Sequence, residues 1–94
     1  MSDIPAQIQE DIKTAMKAKD SLALNALRAL KSALTNASIE KGGLGTALEE
    51  SEVLSVVRKQ IKQRHDSVEQ FEKAGRDEPA ATEKAEIEIL TRYL

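Results

Sequence analysis

The chain has 94 residues, enough for one small domain around a single core. Its 16 acidic and 14 basic residues leave a formal charge of −2. This charge excludes a protein whose whole surface is basic and attracts nucleic acid, so any contact with nucleic acid must be made by a local group of cations. The absence of cysteine excludes disulfides and thiolate chemistry, and an aromatic content of 2% excludes stacking platforms for unpaired bases. No apolar run reaches the roughly 18 residues of a membrane span, and the start lacks signal-peptide features, so we expect a cytoplasmic protein with no membrane partner.

The first predicted helix follows Pro5, a residue suited to the first helical turn. It should end near Lys19, because Asp20 and Ser21 are good N-caps for a second helix, and this predicts a tight corner. Its apolar residues recur at the spacing of one buried stripe. They are Ile8, Ile12, Ala15 and Met16.

The second predicted helix ends at Gly42 and Gly43, since glycine adopts the left-handed backbone that commonly terminates a helix. The loop over residues 42–47 contains Gly-Gly-Leu-Gly, but the Lys-Ser/Thr pair of a phosphate-binding P-loop is missing, which favours an ordinary turn. The apolar stripe of this helix comprises Leu24, Leu27, Leu30, Leu34 and Ala37.

The third predicted helix is the longest, from about Glu50 to Ala74, and stops at Gly75. Its stripe comprises Val53, Val57, Ile61, Val68 and Phe71.

The fourth predicted helix begins near residues 77–79 and reaches the last residue without a stop signal. Its stripe comprises Ile87, Leu90 and Leu94, with Ile89 and Tyr93 beside it. The short connection at residues 75–77 favours antiparallel pairing of helices three and four. The sequence therefore predicts an all-α fold, a small bundle of about four helices.

A basic segment occupies the middle of helix three. At about 100° per residue, Arg58, Lys62 and His65 share one face, and Lys59 and Asp66 lie beside it. One interpretation is a solvated face with ion pairs four residues apart, and the other is contact with phosphate groups. On helix two, Arg28 and Lys31 (both near the leucine stripe) either extend such a surface or cover apolar residues with their long side chains. The sequence alone does not decide between a solvated face and a phosphate-binding surface.

Arg64 differs from its neighbours, because the same arithmetic places it within the apolar stripe of helix three. A buried guanidinium requires a carboxylate partner, and Glu40, Glu83 and Glu86 are candidates of equal rank. His65 is the only histidine, so neither a histidine-based triad nor a two-histidine metal site is available within one chain. We predict no catalytic, metal or cofactor site.

Several ordered segments resemble the GatB/YqeY family, specifically its stand-alone YqeY-like proteins. They cover nearly the whole chain, which makes the resemblance far more specific than one basic helix. The segments are residues 11–20 (DIKTAMKAKD), 27–34 (LRALKSAL), 59–64 (KQIKQR), 71–77 (FEKAGRD), 86–90 (EIEIL) and 93–94 (YL).

The resemblance implies that residues 1–94 form the N-terminal helical domain of a two-part helical protein whose smaller C-terminal domain is absent. It implies kinship with the tail of the amidotransferase B subunit that contacts tRNA, and an association with carbon–nitrogen ligase activity that uses glutamine as amide donor. The expected function is an accessory module that binds tRNA or an RNA backbone without catalysis of its own; alternatives are a component of the amidotransferase reaction and a protein-interaction module. Expected partners are tRNA, amidotransferase subunits or a protein docked on the last helix, with the oligomeric state open. The family-type positions expected to contact nucleic acid are Arg28, Lys31, Lys59, Lys62, Gln63, Arg64 and Ser67, whereas His65 lies outside the motif.

Overall fold

Four α-helices make up a computed structural model of the protein, which describes residues 2–94. They are α1 (Ile4–Ala18), α2 (Ser21–Gly42), α3 (Glu50–Lys73) and α4 (Asp77–Thr91). The described residues contain no strand, and the bundle measures 42 × 29 × 20 Å. The predicted all-α bundle of four helices is confirmed.

The corner between α1 and α2 is built around two residues. Lys19 adopts a left-handed backbone with φ of 56°, and the N–H of Asp20 donates to the carbonyl of Ala15 at 2.9 Å. The Asp20 carboxylate then accepts from the N–H of Ala23 at 3.1 Å, which satisfies one of the free donors at the start of α2. The predicted tight corner and its Asp20 cap are confirmed.

The connection between α2 and α3 is a glycine turn followed by an acidic helix start. Gly43 and Gly45 have φ of 101° and 85°, values that residues other than glycine rarely adopt. The Glu52 carboxylate accepts from Lys41 Nζ at 2.6 Å and from the N–H of Glu49 at 2.8 Å, and these bonds lower the pKa of Glu52. These contacts fit the interpretation of the glycine segment as an ordinary helix stop.

Helices α3 and α4 make the most extensive helix–helix contact of the described chain. Gly75, with φ of 70°, turns the chain directly after α3, and the N–H of Arg76 closes the turn on the carbonyl of Phe71 at 2.8 Å. The short turn returns α4 along α3, as the sequence predicted.

The core lies around α2, which contacts the other three helices. Ala23 and Ala26 are buried beside the leucines, and such small side chains let neighbouring helices approach closely. Burial of these side chains supplies the main stabilisation of the bundle. The clustered core residues are Ile8, Ala15, Ala23, Ala26, Leu27, Leu30, Leu34, Val53, Val57, Ile89, Leu90 and Tyr93.

Two predicted core positions are wrong. Met16 is 53% exposed, because α1 packs extensively on α2 alone and only a narrow stripe is covered. Leu94 is 58% exposed, because α4 ends at Thr91 and the helical spacing stops there. Tyr93 turns inward instead, and its hydroxyl donates to the Asp11 carboxylate. Burial, and then this contact with Asp11, raise the pKa of Tyr93 well above its ordinary value.

Candidate nucleic-acid interface

The outward face of α3 carries the exposed cations of the basic segment. Arg58, Lys59 and Lys62 are all exposed, and Lys62 Nζ lies 3.3 Å from the Asp66 carboxylate in a solvent-accessible ion pair. Three cations thus stand against one carboxylate over little more than two helical turns. We call this set, Arg58, Lys59, Lys62 and the adjacent Gln63, the α3 cationic face.

Two polar residues at the edge of this face bond mainly within α3. The Gln63 side-chain oxygen accepts from Gln60 Nε2 at 3.4 Å, which leaves the amide N–H₂ of the exposed Gln63 free to donate outward. The Ser67 hydroxyl donates to the Gln63 carbonyl at 3.2 Å, one turn back along the helix. Gln63 therefore offers donors at the surface, whereas the Ser67 hydroxyl is engaged by its own helix.

Arg64 lies at the interface of α3 and α4, and its side chain is 12% exposed. Its Nε donates to Glu86 Oε1 at 2.9 Å, and its Nη1 donates to both the carbonyl and the side-chain oxygen of Gln60 at 3.1 Å. Of the three carboxylates considered from sequence, Glu86 is the direct partner. The guanidinium is held away from the α3 cationic face, in a contact that ties the two helices together.

Glu83 is the second carboxylate at this interface. Burial raises the pKa of Glu83, the charge of Glu86 raises it further, and the guanidinium of Arg64 opposes the shift. The Arg64 guanidinium thus faces two carboxylates, Glu83 and Glu86, whereas the other ion pair between α3 and α4, Lys84 with Glu72 at 2.9 Å, is exposed.

The two α2 cations of the sequence prediction are exposed, but they do not share one environment with the α3 cations. Lys31 Nζ donates to Gln9 Oε1 of α1 at 3.2 Å, which places Lys31 on the side of α2 that faces α1. There it lines a cleft of about 270 Å³ between α1, α2 and the glycine loop. Arg28 has no hydrogen bond or ion pair with any described residue.

Two glutamines that bond to these cations were not singled out from the sequence. Gln60 accepts from Arg64, and Gln9 accepts from Lys31. Gln60 was detectable, because it precedes Arg64 by one helical turn and amide–cation pairs at that spacing are common on helices. Gln9 was not, because its contact with Lys31 depends on how α1 packs on α2.

His65 is exposed, and nothing in the described chain joins it to other ligating groups. Residues 2–94 contain no group of three histidine or carboxylate side chains placed to hold a metal ion. Within that same span no helix is long and apolar enough to cross a bilayer.

Comparison with known families and proteins identifies the class of this chain. The family model described as YqeY-like protein matches residues 5–94, and the chain belongs to this family. Similar proteins include three called "Altered inheritance of mitochondria protein 41, mitochondrial". Identity is 38% for that of Lachancea thermotolerans (98% of this chain, 48% of the relative), 36% for Clavispora lusitaniae (95% and 50%) and 34% for Pyrenophora tritici-repentis (93% and 46%). The chain spans about half the length of these relatives.

The names of these relatives overturn one prediction. They are mitochondrial proteins, so the prediction of a cytoplasmic location is wrong by this comparison. The prediction depended on the absence of cysteine, of a membrane-spanning run and of secretory signal-peptide features. None of these properties distinguishes the cytosol from the interior of an organelle.

Proposed function

We propose that this YqeY-like domain is an accessory module that holds the backbone of RNA, tRNA in the first place, on the α3 cationic face. The observation that carries the proposal is the exposure of Lys59 and Lys62 on the outward side of α3, beside the free amide donors of Gln63. Lysine and amide donors a turn apart suit phosphate oxygens, which they position without reading base sequence.

The electrostatics of the face favour a local contact. The protein as a whole carries a formal charge of −2, so long-range attraction of a polyanion is weak. The pair of Lys62 and Asp66 is exposed, and such a pair contributes at most about 1 kcal/mol, so a phosphate displaces Asp66 at small cost. Binding should therefore be modest in affinity and steep in its salt dependence.

The contact uses three of the positions suggested by the family resemblance, together with Arg58, which is not one of them. Lys59, Lys62 and Gln63 contact RNA directly, and Arg58 adds charge on the same helix. Arg64 supports the face by fixing α3 on α4, and Ser67 lies beside it. Arg28 and Lys31 belong to α2 and are not needed for the contact.

Binding of labelled tRNA, followed by fluorescence anisotropy between 25 and 200 mM salt, tests the proposal. The preparation includes mitochondrial tRNA, because the named relatives are mitochondrial. Lys59→Ala combined with Lys62→Ala should weaken binding on the order of tenfold at low salt, for every tRNA tested, and reduce the salt slope by about 2. The matched control is Lys13→Ala combined with Lys17→Ala, two exposed lysines on α1, which removes the same charge elsewhere.

Equal losses in the two double variants would show a general charge effect, and unchanged binding in both would remove the proposal. A second assay addresses the amidotransferase alternative that the family association suggests. Amide transfer to mischarged tRNA by the purified chain alone would replace the accessory role with a catalytic one.

A further inference from the structure

The cleft between α1, α2 and the glycine loop has a polar rim and an apolar floor. Its volume of about 270 Å³ is just below the roughly 300–1,000 Å³ of pockets that hold drug-sized ligands. The floor is formed by Ile8 and Leu34, which are buried core residues, and by the partly buried Leu48. The rim on α2 is formed by Lys31, Thr35 and Ser38.

The hydroxyl groups of this rim are free. The other three threonines within helices, Thr14, Thr82 and Thr91, each donate to the carbonyl four residues earlier, at 3.1, 3.3 and 2.7 Å. The hydroxyls of Thr35 and Ser38 make no hydrogen bond with any described residue. Both therefore remain available to a ligand in the cleft.

Among the described residues that line the cleft, Lys31 alone is charged. Its ammonium group donates to the neutral Gln9 side chain at 3.2 Å and forms no ion pair with any described carboxylate. The spacing of Lys31, Thr35 and Ser38 places three donors along one side of α2 over about 10 Å. One cation with two hydroxyls matches the charge of a single carboxylate, whereas a dianionic phosphate would leave excess negative charge.

The loop wall of the cleft is held in place by hydrogen bonds. Gly43 and Gly45 precede the wall residues Thr46, Ala47 and Leu48, and both have left-handed backbone angles. The Thr46 hydroxyl donates to the Gly43 carbonyl at 2.7 Å, Lys41 Nζ donates to the Ala47 carbonyl at 3.2 Å, and Leu48 packs against the core, so this wall has a defined shape.

We propose that this cleft binds a small monocarboxylate with an apolar body, the carboxylate on Lys31 and the α2 hydroxyls and the body on the floor formed by Ile8, Leu34 and Leu48. The site is separate from the α3 cationic face, and the proposal stands or fails independently of RNA binding.

Titration of the ¹⁵N-labelled chain with sodium octanoate up to 10 mM tests the site by NMR. We expect amide shifts confined to the cleft walls on α1, α2 and the loop. Lys31→Met retains an apolar stem and should weaken binding roughly tenfold, the effect of losing one charge-assisted hydrogen bond. Lys13→Met, on the exposed side of α1, is the matched control and should leave binding unchanged.

Three further ligands define the chemistry. Acetate lacks the apolar body and octan-1-ol lacks the charge, so both should bind far more weakly than octanoate. Octyl phosphate binding more tightly than octanoate would overturn the assignment to a monocarboxylate. Octanol binding as well as octanoate, shifts outside the cleft, or unchanged affinity in Lys31→Met would overturn the site itself.

Discussion

Two ion pairs formed by cations two residues apart on α3 have opposite surroundings. The side chains of Arg64 and Glu86 are 12% and 15% exposed and join two helices. Those of Lys62 and Asp66 are 77% and 58% exposed and lie on one helix, a turn apart. Both pairs are cation and carboxylate at hydrogen-bonding distance, yet one is part of the packing and the other is surrounded by water.

The difference shows that the basic character of a helix segment does not define a binding surface. A charge that is removed from water must keep its partner, because leaving it alone is costly. An exposed pair exchanges its partner for a ligand with little loss. Within one segment, burial therefore separates a structural guanidinium from lysines that are available to phosphate.

The largest expected effect comes from breaking the partly buried pair of Arg64 and Glu86. Glu86→Ala leaves the Arg64 guanidinium partly buried without its direct partner, and we expect the free energy of unfolding to fall by about 3 kcal/mol in urea denaturation. Replacement of both members, Arg64→Met with Glu86→Leu, should recover most of the loss, because no unpaired guanidinium remains and the charge of Glu86, which disfavours ionised Glu83, is removed as well. A single variant as stable as the native chain would contradict the structural role of the pair.

A smaller effect is expected at Glu83, the second carboxylate beside Arg64. Its folded-state pKa is raised above the ordinary 4.5, so its ionised form opposes folding. Glu83→Gln should therefore stabilise the protein at pH 7, by less than about 1 kcal/mol. As the pH falls through the raised pKa, the native carboxyl takes up a proton more readily when folded, and the two stabilities should converge.

Urea denaturation at pH 7, 5.5 and 4 measures this convergence. Glu88→Gln, at an exposed position of α4, is the control for removing one negative charge from the helix. A stability gap for Glu83→Gln that widens as the pH falls would have the wrong sign for this explanation.

The smallest effect is expected for the exposed pair. In a double-mutant cycle, Lys62→Ala and Asp66→Ala should show a coupling energy below about 0.5 kcal/mol, and less at high salt. A coupling as large as that of a buried pair would mean that Lys62 is held by Asp66, which would weaken its assignment to RNA. The cycle thus tests whether the exposed pair contributes little to stability, in contrast to the pair of Arg64 and Glu86.

The sequence predicted the helices well because their ends and faces are determined locally. Asp20 caps α2 by a bond to a residue three positions away, and Gly75 ends α3 through its own left-handed backbone. Periodic apolar residues located most of the core. The errors at Met16 and Leu94 have different causes: Met16 lies outside the narrow stripe of α1 that α2 covers, and Leu94 lies beyond the end of α4 at Thr91.

The site was predictable only in part, for a similar reason. Helical arithmetic placed Arg64 inward and Lys62 outward, and both positions follow from α3 alone. The partner of Arg64 was not predictable from the sequence. Glu83 and Glu86 are one turn apart on α4, and the position of α4 along the axis of α3 decides which of them reaches Arg64. The surroundings of Lys31 depend on α1, which packs on α2 from a different part of the chain.

The corner at Lys19 and Asp20 has a consequence for how this domain varies in length. The N–H of Asp20 donates to the carbonyl of Ala15 at the end of α1, and the Asp20 carboxylate caps the start of α2. One residue therefore forms both the last bond of α1 and the first bond of α2. An inserted residue would break the end of one helix and the start of the next, and would rotate α1 out of its seat on α2. In the turn between α2 and α3, the residues that end α2 and the residues that start α3 are separate, so we expect an inserted residue there to cost less stability than one at the Lys19–Asp20 corner.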